Sequence, residues 1–504
     1  MKHLLLALVS FLNTSLFAQH LVRTYHDEEQ KFIKEEYYTQ SAESMLREGK
    51  YLKYYSDEGE KHEVGQYVDG KRTGEWLYYH QNGNISVKGS FIEDRPDGQW
   101  TYFYRTGQKH KQGSFIAGQQ HGNWVYQYEN GQVSGEGDFD NGTGVFREYY
   151  IGGKLQRTTE LVAGKKSGKS EIYEPSGRLV QSATYKNNEL SDSLIVYHKN
   201  GKKKSLSFFV NGKPDKFLQE YYSNGQLKKE QIFLNGELDG LMKTYYESGI
   251  LRTEEHYKQG VLDGFYKTYH ANGQLETESK NIAGTKTGDF MNYDDQGNLV
   301  LKGHHLNGQL EGENIAYYAD GKTKHSFTYK QGKRVGKNTE YYSSGNTKAE
   351  LMFSNAGRDS KQLAYHDNNQ VASKKFFEND IPSGKWEFYY ENGQLKESQS
   401  YQSGKLNEVY LTYYSNGSKK SEVTYQLGRI VGVERYFHEN GKPEKTQVYK
   451  SGKKHGAFKE YFENGQIGLE GEYAANRKVG KWITNDNQGK RIKTEVYKNG
   501  KKVK

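Results

Sequence analysis

The chain has 504 residues, of which only 33% are hydrophobic, too few for the thick cores of the roughly three globular domains its length would suggest. Disorder is excluded as well, because 44 Tyr, 22 Phe and 57 Gly stand against 5 Pro, whereas disordered chains are poor in rings and rich in proline. The formal net charge is +9, from 72 Lys+Arg and 63 Asp+Glu that alternate, as in Gln226-Leu227-Lys228-Lys229-Glu230, which argues against the one-sided basic face of a nucleic-acid binder.

The chain opens with Met1-Lys2-His3 and an apolar run that ends at Leu16-Phe17-Ala18-Gln19. This pattern predicts a secretory signal peptide over residues 1–18, cleaved after Ala18, and hence a periplasmic, envelope-associated or secreted protein. Ser10 and Asn13-Thr14-Ser15 interrupt the run, which falls short of the ~20 apolar residues of a transmembrane span. No other segment has the composition of a spanning helix. Residues 19–53, with Glu36-Tyr37-Tyr38, match the following repeat poorly and are expected to form an atypical N-terminal cap. There is no cysteine, which excludes disulfides, thiolate metal sites, a cysteine nucleophile and a lipidated-cysteine anchor.

From residue 54 to 504 the chain is one array with a 24-residue period. Glycines mark the phase at 59, 83, 107 and 131, at every 24th position from 153 to 345, and again from 393 to 489. Asn369 fills the one gap, giving about 19 repeats, and the step from 131 to 153 is 22 residues. An aromatic precedes most marks by four (Tyr79, Tyr221, Tyr389) and another follows by eight (Phe91, Phe115, Tyr401). All five tryptophans, Trp76, Trp100, Trp124, Trp386 and Trp482, stand seven residues before a mark.

Each unit converts into a hairpin. Glu391-Asn392-Gly393-Gln394 carries the Asn-Gly signal of a turn with positive φ at both central residues, and Ser403-Gly404-Lys405 supplies a second turn. Gly83, Gly225, Gly249, Gly273, Gly393, Gly417 and Gly465 are read as structural turn glycines. The predicted fold is all-β: tandem hairpins forming one long twisted single-layer sheet or open solenoid. A three-residue loop would set Tyr221 opposite Leu227; a two-residue loop would put them on opposite faces. Equivalent rings of successive units are expected to stack at about 10 Å, two strand spacings apart. Stretches around Asn188-Glu189-Leu190-Ser191-Asp192 and Ala356-Gly357-Arg358 lose their second-turn glycines and are expected to be irregular.

The residues point to no enzyme, no metal site and no cofactor. His80, His198, His270, His366 and His438 all stand three before a mark, in units that are not adjacent, and read as turn-flanking polar residues. His304-His305 should point to opposite faces of a strand. Asp294-Asp295 and Asp27-Glu28-Glu29 lack the ligand spacing of an EF-hand loop. What remains is recognition, with the five tryptophans as candidate binding aromatics for a protein or an envelope polysaccharide. Weak contact of anionic lipid with the basic turns Gly201-Lys202-Lys203-Lys204 and Gly452-Lys453-Lys454 is the alternative.

The stretch from Lys385-Trp386-Glu387-Phe388-Tyr389-Tyr390 through Glu391-Asn392-Gly393-Gln394-Leu395-Lys396, like Gly70-Lys71-Arg72-Thr73-Gly74-Glu75-Trp76, resembles the MORN-repeat variant of YwqK-type antitoxins and of exported proteins made of 24-residue repeats. The resemblance implies β-hairpin arrays used for scaffolding, self-association and phospholipid contact. It also implies, as a further alternative, an antitoxin-like or immunity protein that neutralises a toxin.

Overall fold

The computed structural model describes residues 19–56 and 59–504; the signal peptide predicted over residues 1–18 lies outside them. Apart from a 3-10 turn at Asn355–Gly357, all its regular structure is β-strand. The chain divides into two compact units, Met1–Gly249 and Ile250–Lys504. Within each, consecutive strands pair antiparallel in an open meander, as the hairpin periodicity predicts. The cap is part of this meander. Strands β1 (His20–Tyr25), β2 (Ile33–Thr39) and β3 (Arg47–Tyr54) pair in sequence and pass on to β4 (Lys61–Val68). What sets the cap apart is its long connections, without the turn glycines of the array.

The hairpin of β4, β5 (Lys71–Tyr79) and β6 (Ile85–Ile92) shows the two turns of every unit. At the first, His80 N–H donates to Asn84 O at 2.8 Å and Gly83 N–H to His80 O at 2.9 Å. This closes a three-residue loop in which Gly83 alone is left-handed, at φ 83°. The same loop at Gly225 sets Tyr221 opposite Leu227, which decides between the two registers. At the second turn Asp69 and Gly70 both have positive φ, 49° and 76°, in a two-residue loop with Val68 opposite Lys71. The Asn-Gly dipeptide therefore marks the other kind of turn from the one expected. Positive φ at both central residues belongs to the second turn, where Asn-Gly, Ala-Gly and Gln-Gly all occur.

A bulge follows the second turn. The pairing jumps from Gln66–Thr73 to Val64–Leu77, so that Gly65 alone faces Gly74, Glu75 and Trp76. The bulge adds two residues to one strand, and two hairpins lack it. In the 22-residue unit, Gly135–Asp140 pair without a break against Thr143–Glu148, and the missing pair is the bulge. In the hairpin of Thr347–Ser354 and Asp359–Tyr365 the bulge is also gone, and the extra residues sit in a longer loop, with Asn355, Ala356 and Gly357 left-handed. The expectation of irregularity holds there. It fails at Asn188, where Asn187, Asn188 and Asp192 take the left-handed positions at φ 51°, 74° and 73° and keep the hairpin regular.

Candidate functional site

In the hairpins that carry a tryptophan, the bulge turns one face into an interior. Trp76, Trp100, Trp124 and Trp482 are 0%, 4%, 0% and 2% exposed. This corrects the expectation that the tryptophan column offers a binding surface; only Trp386 stays partly open. The reason is a glycine eleven residues before each buried indole. A Cβ on Gly65, Gly89, Gly113 or Gly471 would stand only 2.1–2.3 Å from Cδ2 of Trp76, Trp100, Trp124 or Trp482. The indole lies flat on bare backbone. At Trp386 the corresponding residue is Lys375, whose ammonium stands 5.6 Å from the ring centroid. The glycine column, six residues after a mark, was legible in the sequence but carried no turn signal and went unread.

Near the C-terminus Phe458 and Trp482, equivalents one repeat apart, meet at 5.4 Å with a 32° tilt, but the N-terminal rings do not stack on their equivalents. Tyr67, Trp76, Phe91, Trp100, Phe115 and Trp124 interdigitate in one edge-to-face chain, with centroids 4.9–5.9 Å apart. The cap closes this chain with a cation. The Arg47 guanidinium lies 4.9 Å from the rings of Tyr37 and Tyr51 and 5.4 Å from that of Tyr67. Arg47 also pairs with Glu35 at 2.9 Å, and the Tyr51 hydroxyl donates to the same carboxylate. Burial, reinforced by that carboxylate, pushes the Tyr51 phenol far above its ordinary range.

The five histidines have a structural role. His80, His198, His270, His366 and His438 each place Nε2 2.9–3.0 Å from the backbone carbonyl 23 residues later. A carbonyl only accepts, so Nε2 carries the proton. Where other units have Tyr at this position, its hydroxyl makes the same bond, as from Tyr150 to Tyr173 O at 2.9 Å and Tyr390 to Tyr413 O at 2.9 Å. The turn asparagine adds a parallel row. Asn392 Nδ2 donates to Ser415 O at 2.7 Å while its Oδ1 accepts from Gln394 N–H. His198→Tyr should therefore leave urea stability near wild type, whereas His198→Phe, which leaves the Tyr221 carbonyl without this donor, should lower it by about 0.5–1.5 kcal/mol.

The other candidate clusters resolve the same way. Asp27 accepts from Lys31 N–H and Phe32 N–H, and Asp294 from Gln296 N–H and from the main-chain and side-chain N–H groups of Asn298. Both carboxylates cap turns, and these hydrogen bonds hold their pKa values below the usual range. His304 and His305 do point apart: the first meets Asp289 at 2.7 Å, the second packs its ring 4.6 Å from that of Phe290. Among the described residues no three His, Asp or Glu side chains converge as metal ligands. Lys202–Lys204 follow a first turn and Lys453-Lys454 a second turn, so the two basic segments belong to different edges of the repeat.

The face opposite the rings carries cross-strand ion pairs: Glu75–Lys88 at 2.7 Å, Lys267–Glu278 at 3.0 Å and Arg435–Glu422 at 3.1 Å. Such exposed pairs contribute about 0–1 kcal/mol each. Beside the bulge-free hairpin this face holds a shallow cleft of about 350 Å³ over Met352, Leu363 and Phe376. Lysines 337, 361 and 374 rim it with one carboxylate, Glu350, which pairs with Lys337 at 2.6 Å. That set supplies cations and an apolar floor, not an acid–base couple.

The MORN repeat variant profile matches residues 72–93, 120–141, 218–235, 238–259, 382–403, 409–427, 430–451 and 454–474. No curated protein matches the chain. Among solved structures it aligns with the TcdB2-TccC3 crystal structure at 12% identity and TM-score 0.13, over 91% of this chain and 30% of that one. It aligns with the Photorhabdus luminescens Tc holotoxin pore at 13% and 0.14, over 94% of this chain and 25% of that one. A complex of ASR alternansucrase with isomaltononaose gives 14% and 0.14, over 59% and 23%. The chain thus spans less than a third of each of these proteins. Eight profile matches distributed over both units, each showing the two-turn hairpin, place the chain in the MORN repeat variant family.

Proposed function

We propose that the protein is a non-enzymatic, exported repeat scaffold that binds a protein or an envelope polysaccharide. The observation that carries this reading is the division of labour within the repeat. Rings and glycines are consumed by the interior, histidines, tyrosines and asparagines by the lacing of the first turns. The second turns and the charged face are left to present the same groups at a fixed period, which suits extended recognition. Export rests on the segment Met1–Ala18. No helix among the described residues is long and apolar enough to cross a membrane.

The test is affinity capture by the full chain from separated envelope and cytosolic fractions. A discrete protein or glycan retained from the envelope fraction alone is the expected result. Retention of nothing from the envelope, or equal retention from cytosol, contradicts the reading.

A further inference from the structure

The second-turn edge changes character along the chain. In the N-terminal repeats the residue before this turn is an exposed aliphatic in Val68, Ile92 and Ile116, and the two cations after Val68 are neutralised from the next turn. Lys71 pairs with Glu93 at 3.4 Å and Arg72 with Asp94 at 2.9 Å. In the last five repeats the position after the turn is Lys405, Arg429, Lys453, Arg477 and Lys501, all exposed and without an ion-pair partner among the described residues. None of the stretches 401–406, 425–430, 449–454, 473–478 and 497–502 contains a carboxylate. Lys450 and Lys498 add further positive charge there, whereas Lys502 pairs with Glu495 at 2.9 Å and Lys454 and Lys478 lie over the rings of Tyr473 and Trp482, at 5.2 and 4.1 Å.

These cations are held in register. Gly428 N–H donates to Leu406 O at 2.7 Å, Gly452 to Ile430 at 2.9 Å, Asn476 to Lys454 at 2.9 Å and Gly500 to Lys478 at 3.0 Å, so each turn is bonded to the one before. The stems of three of the cations rest on the following turn glycine: a Cβ on Gly428, Gly452 or Gly500 would lie 3.8, 3.7 or 3.5 Å from Cβ of Lys405, Arg429 or Arg477. The result is a single file of fixed charges at a step of two strand spacings, ~10 Å.

We infer that this edge binds an extended acidic polysaccharide whose carboxylates recur at about that step, an inference that rests on the scaffold reading above. Duplex DNA carries a charge every ~1.7 Å, far denser than this file could neutralise. Membrane-surface segments set apolar residues beside their cations. Here the residues before the turn are Gln402, Gln426, Lys450, Ala474 and Lys498, the aliphatic column lies in the other repeats, and Leu427 is the one large exposed aliphatic among the turns that precede these cations.

The probe is hyaluronan, which bears a carboxylate on alternate sugars, in fragments long enough to span five repeats, titrated into the full chain at low and raised salt. Binding that weakens with salt is expected. The variant carrying K405Q, R429Q, K453Q, R477Q and K501Q should bind at least about tenfold more weakly, since five exposed ionic contacts are removed. A variant carrying R105Q, K199Q and K490Q, on first turns, should bind as the wild type, and all three proteins should share one circular-dichroism spectrum and melting temperature. Equal binding by the five-site variant overturns the inference. So does a wild type that binds phosphatidylglycerol vesicles or duplex DNA but not hyaluronan. If hyaluronan fails while envelope capture persists, the inference falls and the scaffold reading stands; if both fail, both fall.

Discussion

Trp124→Ala is expected to lower the unfolding free energy by about 3–5 kcal/mol, the range for a fully buried aromatic replaced by alanine. Trp124 is 0% exposed, donates Nε1–H to Ser114 O at 2.9 Å and terminates the edge-to-face chain through Phe115. The companion change, Gly113→Ala, should cost about 1–3 kcal/mol, because the new Cβ would enter the indole ring. The two changes must not add. Once the indole is gone the methyl has room, so Gly113→Ala in the Trp124→Ala background should be close to neutral. A double-mutant cycle in urea reads this coupling directly. Additive losses would mean that the indole does not lie on Gly113.

The second large effect is alkaline unfolding. Burial pushes the phenols of Tyr102 and Tyr173 up to about 12, with neighbouring tyrosines contributing to the first and Glu171 to the second. Burial and neighbouring carboxylates do the same for Tyr257, Tyr436 and Tyr449, also to about 12. In the unfolded chain these groups ionise near pH 10. A group whose folded pKa is raised contributes stability that is complete below the unfolded pKa and lost as pH rises through the folded one. Stability should therefore fall steeply between pH 10 and about 12, with phenolate absorbance and loss of the β-sheet signal rising together. Ionisation of all 44 phenols near pH 10 with the sheet intact would contradict the burial of these rings.

Most of the fold was legible because its signals are repeated. A glycine that must be left-handed every 24 residues, with a ring at fixed distance on either side, defines hairpins whatever the rest of the chain does. What escaped was the bulge. The left-handed backbone of Gly74, Gly98 and Gly122 bends a strand in mid-course, and nothing in a hairpin pattern announces one residue facing three. That bend decides the fate of the tryptophans. Read on a flat sheet, Trp76 and its relatives look exposed; on a bent strand they fold over Gly65 and its relatives and become interior. The histidines were recognised as turn residues from their phase alone, but their partners lie 23 residues away and could be found only in three dimensions.

The central claim is that the ring face, with its buried tryptophans, is the interior of the protein. It is tested most directly by tryptophan fluorescence of the full-length Trp386→Phe variant, which removes the one indole that is partly open. The four remaining indoles should emit at short wavelength and resist quenching by iodide until the chain is unfolded. Emission at the wavelength of water-exposed indole, quenched by iodide in the folded protein, would show the ring face open and the claim wrong.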